Sequence, residues 1–568
     1  MPRTFCLARN LFPLLLVATV LSPFASASGP YVIGSGNTVT ADPDVTRPFT
    51  TPCVVQLFSG AQFFDFNVEN FNYSPPSECP GPWAKVVLEA DISLNPGIQF
   101  DRTANFWLGP VNIYFGTTAE PGSNLGPSWH VENDLTDYSS IFYIPKTGQA
   151  VIGNTLCCGL SSTIFASASL EFYPLARGES PPVAADQVLA LSAGPSGGTV
   201  ALSSTSSTLS GTFAFPLNVQ TAFLDVYAQS QSNDEFWYTC VPNDVASELE
   251  SCGNTGFRET EITIDGQPAG VAPVFPWIFT GGIDPFLWLP IPGVQTLNFT
   301  PFRVNLTPFA GVLSNGKPHT VSLSVYNADN YFSATASLLV YRDPDTPVIT
   351  GAVTKDTLAG PSPVITEKLN VQPTVTSGKV DVKSQRNFVI SGYANTSRGK
   401  VATTVTQSID FFNNQSFNIT STQYVQDIAL GSTVFSTTTT SRWGTPNTVT
   451  TELFNFPLTL NISQLVQPNG DIDQTTTADQ TYSSLLNAGQ DWLGYSSFLL
   501  NTAQHKDTLE LDSSFNILGN TGQSSAQQYN YFDSRGARYS SELTAAANIL
   551  TSFSNDCVSK KGFGVSSE

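Results

Sequence analysis

Ile164-Phe-Ala-Ser-Ala-Ser-Leu-Glu-Phe172 decides the fold class. In an extended chain Ile164, Ala166, Ala168, Leu170 and Phe172 share one side, and Ser167, Ser169 and Glu171 the other. A helix would scatter them around its circumference. The same period of two runs through Ala84–Ile92, Phe106–Phe115, Ala222–Ala228, Glu261–Ile264 and Thr320–Tyr326, rich in Val, Ile, Phe and Thr and bounded by Gly, Pro or Asn. Many short strands at this spacing predict an all-β protein of antiparallel sandwiches or jelly rolls. Ala185–Leu191 alone reads as a helical turn.

The chain has 568 residues, which at roughly 150 per domain suggests three or four domains. Its 45 acidic and 24 basic side chains give a net charge of −21, which repels phosphate backbones and anionic lipid. A nucleic-acid or membrane partner is therefore not expected. Charged residues are only 12% of the chain, too few for a disordered acidic polymer. Leu175–Gly198 and Asp343–Pro363 read as linkers, giving units at 28–180, 199–345 and 366–568. The last is a Ser/Thr-rich β region with long polar loops, in which Asn413-Asn414, flanked by Phe411 and Phe417, looks like a hairpin turn.

The N-terminus predicts an address. Arg3 and Arg9, the apolar run Leu11–Phe24 and Ala25-Ser26-Ala27 form a signal peptide over residues 1–27. An exported protein is expected, extracellular or in a cell wall or vacuole. Without Cys6 seven cysteines remain, and in an oxidising compartment most should pair. Cys53 with Cys79 and Cys240 with Cys252 are the preferred pairs, each closing a local loop. Cys157-Cys158 allows either a vicinal disulfide or, preferably, two separate fates. Asn-x-Ser/Thr sites at Asn72, Asn298, Asn305, Asn395, Asn414, Asn418 and Asn461 offer surface glycosylation.

Nucleophile-elbow, zinc, Walker and dinucleotide motifs do not occur, and His130, His319 and His505 lie far apart. Carboxylates beside aromatic residues remain. In Phe100-Asp-Arg-Thr-Ala-Asn-Phe-Trp-Leu108 alternation puts Asp101, Asn105 and Trp107 opposite Phe100, Ala104 and Phe106. An acid, an amide and an indole in one row suit a sugar: hydrogen bonds for the hydroxyls and a flat face for the ring. An ordinary outer sheet face carries the same pattern. Asn233-Asp-Glu-Phe-Trp-Tyr238 repeats it with Glu235 and Trp237. Two such acids can split a bond if their surroundings push their pKa values apart. Arg258 shares a side with Ile262 and Ile264, so its charge must find a partner or the sheet rim, whereas Glu259 and Glu261 read as solvated surface.

Four stretches together resemble the peptide-N-glycosidase A family: Phe106-Trp-Leu-Gly-Pro-Val-Asn-Ile-Tyr-Phe-Gly-Thr-Thr-Ala-Glu-Pro121, Trp129-His-Val-Glu-Asn-Asp-Leu-Thr-Asp-Tyr138, Asn233–Tyr238, and Val274-Phe-Pro-Trp-Ile-Phe-Thr-Gly-Gly-Ile-Asp-Pro-Phe-Leu-Trp288. The likeness covers roughly Gln56–Asp343. It implies hydrolysis of the amide between an N-glycan's first GlcNAc and Asn, on N-glycosylated peptides or proteins, with no cofactor and no metal. A more distant similarity reaches the bacterial PNGase F type, which implies two packed jelly rolls. That type's W-D-R-x-A-N strand matches Phe100–Asn105, which makes Asp101 the first candidate for the water-positioning acid and Arg102 a substrate contact. Where that type has its other acids, this chain has Asn254 and Asn154, so the second role is assigned to Glu235. Trp107, Trp237 and Arg258 are expected to shape the GlcNAc site. A non-catalytic lectin and a glycoside hydrolase cutting within the glycan are the alternatives. The active form is expected to be a monomer or a chain nicked in one of the linkers.

Overall fold

The computed structural model describes residues 31–489 and 494–558, so the signal peptide and Cys6 lie outside the described residues. Eight strands make the first unit: β1 (Cys53–Phe63), β2 (Val68–Tyr73), β3 (Trp83–Leu94) and β4 (Thr103–Leu108), then β5 (Val111–Thr117), β6 (Ser128–Asp134), β7 (Lys146–Ile152) and β8 (Ile164–Pro174). They form two antiparallel sheets, ordered β1-β8-β3-β6 and β2-β7-β4-β5. The run Ile164–Phe172 is β8, between β1 and β3, with its five alternating apolar residues buried. They face Phe63, Trp83, Phe106 and Phe142 in one core. Burial of such side chains contributes roughly 1.5–3 kcal/mol each. Phe106–Phe115 is a hairpin, turned at Gly109 with φ +57°.

Nine further strands build the second unit: β9 (Gln187–Leu191), β10 (Val200–Leu202), β11 (Leu209–Ala214), β12 (Val219–Gln231) and β13 (Glu259–Ile264), then β14 (Gln267–Pro273), β15 (Phe302–Asn305), β16 (Pro318–Tyr326) and β17 (Tyr331–Arg342). One sheet runs β10-β17-β12-β15 with β9 also on β17, and the other β11-β16-β13-β14. Thus Ala185–Leu191 contains a strand, not a helical turn, because Gln187–Leu191 pairs with Val340–Ala336. The segment expected as a linker is partly built into a sheet.

The C-terminal region is a twelve-stranded antiparallel sheet among the described residues, from Thr350–Asp356 to Ile549–Val558. Val375–Thr396 and Gly399–Thr420 are strands of 22 residues each, so the polar residues expected in loops sit in strands. Asn413-Asn414 is no turn: it lies mid-strand, paired on both sides. Buried Asn413 Nδ2 donates to the Tyr238 carbonyl (2.9 Å) and the Gly256 carbonyl (3.0 Å), and Gln415 Nε2 to the Cys240 carbonyl (2.9 Å). The amide-rich composition satisfies backbone groups of the second unit that would otherwise be buried without partners. Arg386 of this sheet also meets Glu259 and Glu261 (3.0 Å to the latter), so Glu259 is buried in an ion pair rather than solvated. Phe257, Trp237, Phe411 and Phe417 fall in one core shared by the second unit and this sheet.

Cys53–Cys79 and Cys240–Cys252 are disulfides. Cys157 and Cys158 are free, exposed thiols with their sulfurs 3.0 Å apart. The side chain of Cys557 is outside the described residues. Asn72, Asn395 and Asn418 are exposed. Asn298 is not presented for a glycan: its Nδ2 is spent on the Glu132 carbonyl (3.1 Å) and Asn133 Oδ1 (2.9 Å). No helix among the described residues is long and apolar enough to cross a membrane.

Candidate active site

Three chain segments converge beside β4. Asp101 and Arg102 lie in the coil that enters it. Arg102 N–H donates to Thr118 Oγ1 (2.9 Å), and Thr118 N–H returns to the Arg102 carbonyl (2.9 Å). This lashes the coil to the segment leaving β5 and brings up Glu120, whose Oε1 accepts the Asp101 N–H (3.2 Å). The Glu120 N–H donates to Thr280 Oγ1 (3.1 Å), and that hydroxyl donates to the Thr118 carbonyl (3.0 Å). Gly281 N–H then reaches Asp101 Oδ1 at 3.3 Å. A Cβ on Gly281 would stand 2.1 Å from Glu120 Oε1 and 2.7 Å from Asp101 Oδ1. Only glycine admits both carboxyl groups.

Glu235 arrives from the second unit. Thr103, first residue of β4, donates its hydroxyl to Gln229 Oε1 (3.2 Å) and accepts from Gln231 Nε2, both on β12. The chain leaves β12 in a 3₁₀ turn, Ser232–Asp234, and Glu235 follows. Asp234, fully buried, fixes that turn by accepting the N–H groups of Asp329, Asn330 and Tyr331 (2.8–3.1 Å) and an ion pair from Arg258 (2.9 Å). Arg258 gives its remaining donors to the carbonyls of Asn254, Thr255 and Phe257.

The acids sense one another. Burial pushes Asp101 up to about 6, opposed by the Gly281 N–H and the Arg102 charge. Glu235 is pushed up to about 7, first by burial and then by the Asp101 charge. Glu120 reaches about 8 for the same reasons, with Glu235 adding to the repulsion. The values rise in the order Asp101, Glu235, Glu120, so Asp101 is the first of the set to carry charge while a neighbouring carboxyl still holds its proton. Such a group can take a proton from water and donate one elsewhere in the same step.

The other sequence-predicted contacts fall differently. Trp107 is buried although the alternation holds: Ala104, Phe106 and Leu108 pack in the sandwich core, and Trp107, on the other face, has its ring covered by Gly197. Asn105 is also buried, accepting from Asn112 Nδ2 (3.2 Å). Trp237 lies in a 3₁₀ turn, not a strand, fully buried with its centroid 6.2 Å from that of Phe411. Neither indole presents a face to a sugar, and Arg258 is enclosed. Phe100, expected inside, is 59% exposed, and the Arg102 guanidinium lies 5.7 Å from its ring centroid while donating to Gln99 Oε1 (2.7 Å). Glu120 was not singled out in sequence. It stands in Thr-Thr-Ala-Glu-Pro121, which has no strand period, and the residue that makes room for it, Gly281, lies far along the chain.

Among the described residues Glu89, His130 and Glu132 hold ligand atoms within 4.8 Å of one another. The Arg47 guanidinium already bridges Glu89 (2.8 Å), Glu132 and Glu171 (3.2 Å), so the cluster is an ion-pair network.

An all-β scaffold that gathers acids from two sandwiches defines the class, and comparison with known proteins supplies the family. Residues 49–354 match the sequence model described as peptide N-acetyl-beta-D-glucosaminyl asparaginase amidase A, and the chain belongs to that family. It is 33% identical over 305 residues to the peptide-N4-(N-acetyl-beta-glucosaminyl)asparagine amidase A of Prunus dulcis, an alignment covering 50% of this chain and 53% of that protein. The chain thus spans about half the length of the curated relative it matches. Among solved structures it is similar to PNGF-II, with 13% identity and TM-score 0.37 over 51% of this chain and 66% of that one. PNGase F of Flavobacterium meningosepticum gives 13% and 0.35 over 52% and 97%.

Proposed function

We propose that this chain is a peptide-N4-(N-acetyl-β-glucosaminyl)asparagine amidase acting on N-glycosylated peptides or proteins. The observation that carries the reading is the half-buried pair Asp101 and Glu120 held around Gly281, with Glu235 close enough for the Asp101 charge to raise it. Asp101 takes a proton from a water that attacks the asparagine side-chain carbonyl. Glu235, protonated up to about pH 7, donates to the departing glycosyl nitrogen. The C–N bond breaks, leaving Asp in the peptide and a glycosylamine that later loses ammonia. Glu120 accepts the Asp101 N–H, and its neutral carboxyl lets Asp101 carry the charge alone. Exposed Phe100 and the Arg102 guanidinium beside it take over the sugar-contact roles expected of the two tryptophans.

The disulfides and the N-terminal address support a secreted enzyme, monomeric and open to nicking at the exposed Ala176–Ser180 segment. Digestion of a defined N-glycopeptide tests the reading. Asn converted to Asp supports an amidase; a GlcNAc stub left on Asn indicates a glycoside hydrolase, and an unchanged but bound glycopeptide a lectin.

A further inference from the structure

The turn that carries Gly281 has no regular secondary structure from Val274 to Pro301, yet its backbone is well partnered. Besides the first unit, many of the partners come from the C-terminal region, outside the family match at residues 49–354. Gln480 Nε2 donates to the Pro276 carbonyl (2.7 Å) while its Oε1 accepts the Val294 N–H (2.8 Å). Gln474 donates to the Ile283 carbonyl (2.9 Å), Asn548 to that of Phe286 (3.0 Å) and Gln523 to that of Leu289 (2.6 Å). His505 Nε2 bonds the Ile291 carbonyl (3.0 Å), and its ring lies 4.6 Å from that of Trp288.

One contact in this row differs in kind. Asp284 and Asp507 are both fully buried. Asp284 Oδ1 accepts the Phe286 N–H (2.9 Å) and Asp507 Oδ1 accepts from Asn520 Nδ2 (2.9 Å). Their Oδ2 atoms have no other partner and the two carboxyls face each other within hydrogen-bonding reach. Two carboxylates cannot both keep their charge there; one proton between them turns repulsion into a short, strong bond. We propose that Asp507 is a positioning residue: by sharing one proton with Asp284 it pins the Gly281 turn, and through it Asp101 and Glu120, to the C-terminal sheet.

Burial and the facing Asp507 push Asp284 up to about 7, and burial raises Asp507 as well. Glu510, on the same strand as Asp507, adds repulsion, and neighbouring His505 is held neutral by burial, lowered to about 4. Asn520, on the adjoining strand, faces Asp507 without charge, and its amide also meets Asn548 in a turn. A carboxyl whose folded pKa exceeds its unfolded one stabilises fully below the unfolded value, and loses that stabilisation as pH rises through the folded one. The clamp is therefore closed in acid and weakens through about pH 7.

Asp507→Asn isolates the effect. Its Oδ1 still accepts from Asn520, and its amide donates permanently to Asp284 with no proton to lose. Thermal midpoints of the full chain, wild type and Asp507→Asn, are measured from pH 5 to pH 8. We expect the variant to gain on the wild type steadily toward pH 8, since the other raised acids are common to both. Superimposable or parallel curves overturn the proposal. A second arm rests on the amidase reading: with a glycopeptide, Asp507→Asn keeps wild-type kcat at pH 5, whereas Asp507→Leu loses on the order of 10²-fold in kcat with KM little changed. Wild-type kcat in a folded Asp507→Leu also overturns it. Inactivity of the wild type counts against the amidase reading alone, because the thermal arm needs no substrate.

Discussion

Asp101 sits where three influences on a carboxyl meet: burial, the Gly281 N–H and the Arg102 charge. Its charge is a cause of the raised values at Glu235 and Glu120. In Asp101→Asn we therefore expect Glu235 to titrate at lower pH than in the wild type, by NMR of labelled glutamate carboxyls. Turnover should fall about 10²–10⁴-fold in Asp101→Asn and in Glu235→Gln, with thermal midpoints near wild type or higher. The wild-type rate should peak between about 6 and about 7, limited on the acid side by protonation of Asp101 and on the alkaline side by ionisation of Glu235. Phe100→Ala should raise KM for a glycopeptide while leaving the midpoint unchanged, whereas Trp107→Ala should cost about 3–5 kcal/mol of stability. Asp101 and Glu235 stand out in sequence because each lies in a distinctive motif, whereas Glu120 lies in a stretch with no strand period. The tryptophans were misread because alternation gives a side of a strand and not what covers it: Gly197 lies against Trp107, and Trp237 stands in a 3₁₀ turn beside Phe411.

At the scale of elements, two short segments govern the site. The 3₁₀ turn before Glu235 is held by buried Asp234 and Arg258, so Arg258→Met should cost about 3–5 kcal/mol by leaving Asp234 without its cation. That loss is read from the urea midpoint at constant m. The Gly281 turn fails differently. Gly281→Ala puts a methyl against two carboxyl groups, so activity should fall with little loss of global stability. Strands were readable from period two wherever one face is buried in a sandwich, as in β8 and β16. β9 escaped because its burial comes from β17, about 150 residues away in sequence, in a stretch dense in Pro, Ser and Gly. Asn413-Asn414 imitated a turn because those residue types favour turns; here a buried carbonyl pair claims the Asn413 amide instead.

Across the whole molecule, the C-terminal sheet supplies side-chain amides to backbone carbonyls of the second unit and of the turn that carries Gly281. Its Ser, Thr, Asn and Gln content reads in sequence as loops, because composition alone does not say that buried amides have carbonyls to meet. Opposed sets of acids set the pH range of stability. Asp101, Glu120 and Glu235 favour the folded state in acid and cease to as pH rises through about 6 to 8. Glu132, lowered to about 2 by hydrogen bonds from His130 and Arg47 that outweigh its burial, works the other way: its contribution disappears as pH falls through about 2. Thermal midpoints are therefore expected to be highest between about pH 4.5 and 6.

Glycopeptide hydrolysis in heavy-oxygen water tests the central claim most directly. With the wild type, the former asparagine is expected to become aspartate carrying one heavy oxygen in its side chain, while Asp101→Asn leaves the glycopeptide intact. Release without conversion of Asn, or unchanged release by Asp101→Asn, would contradict the account.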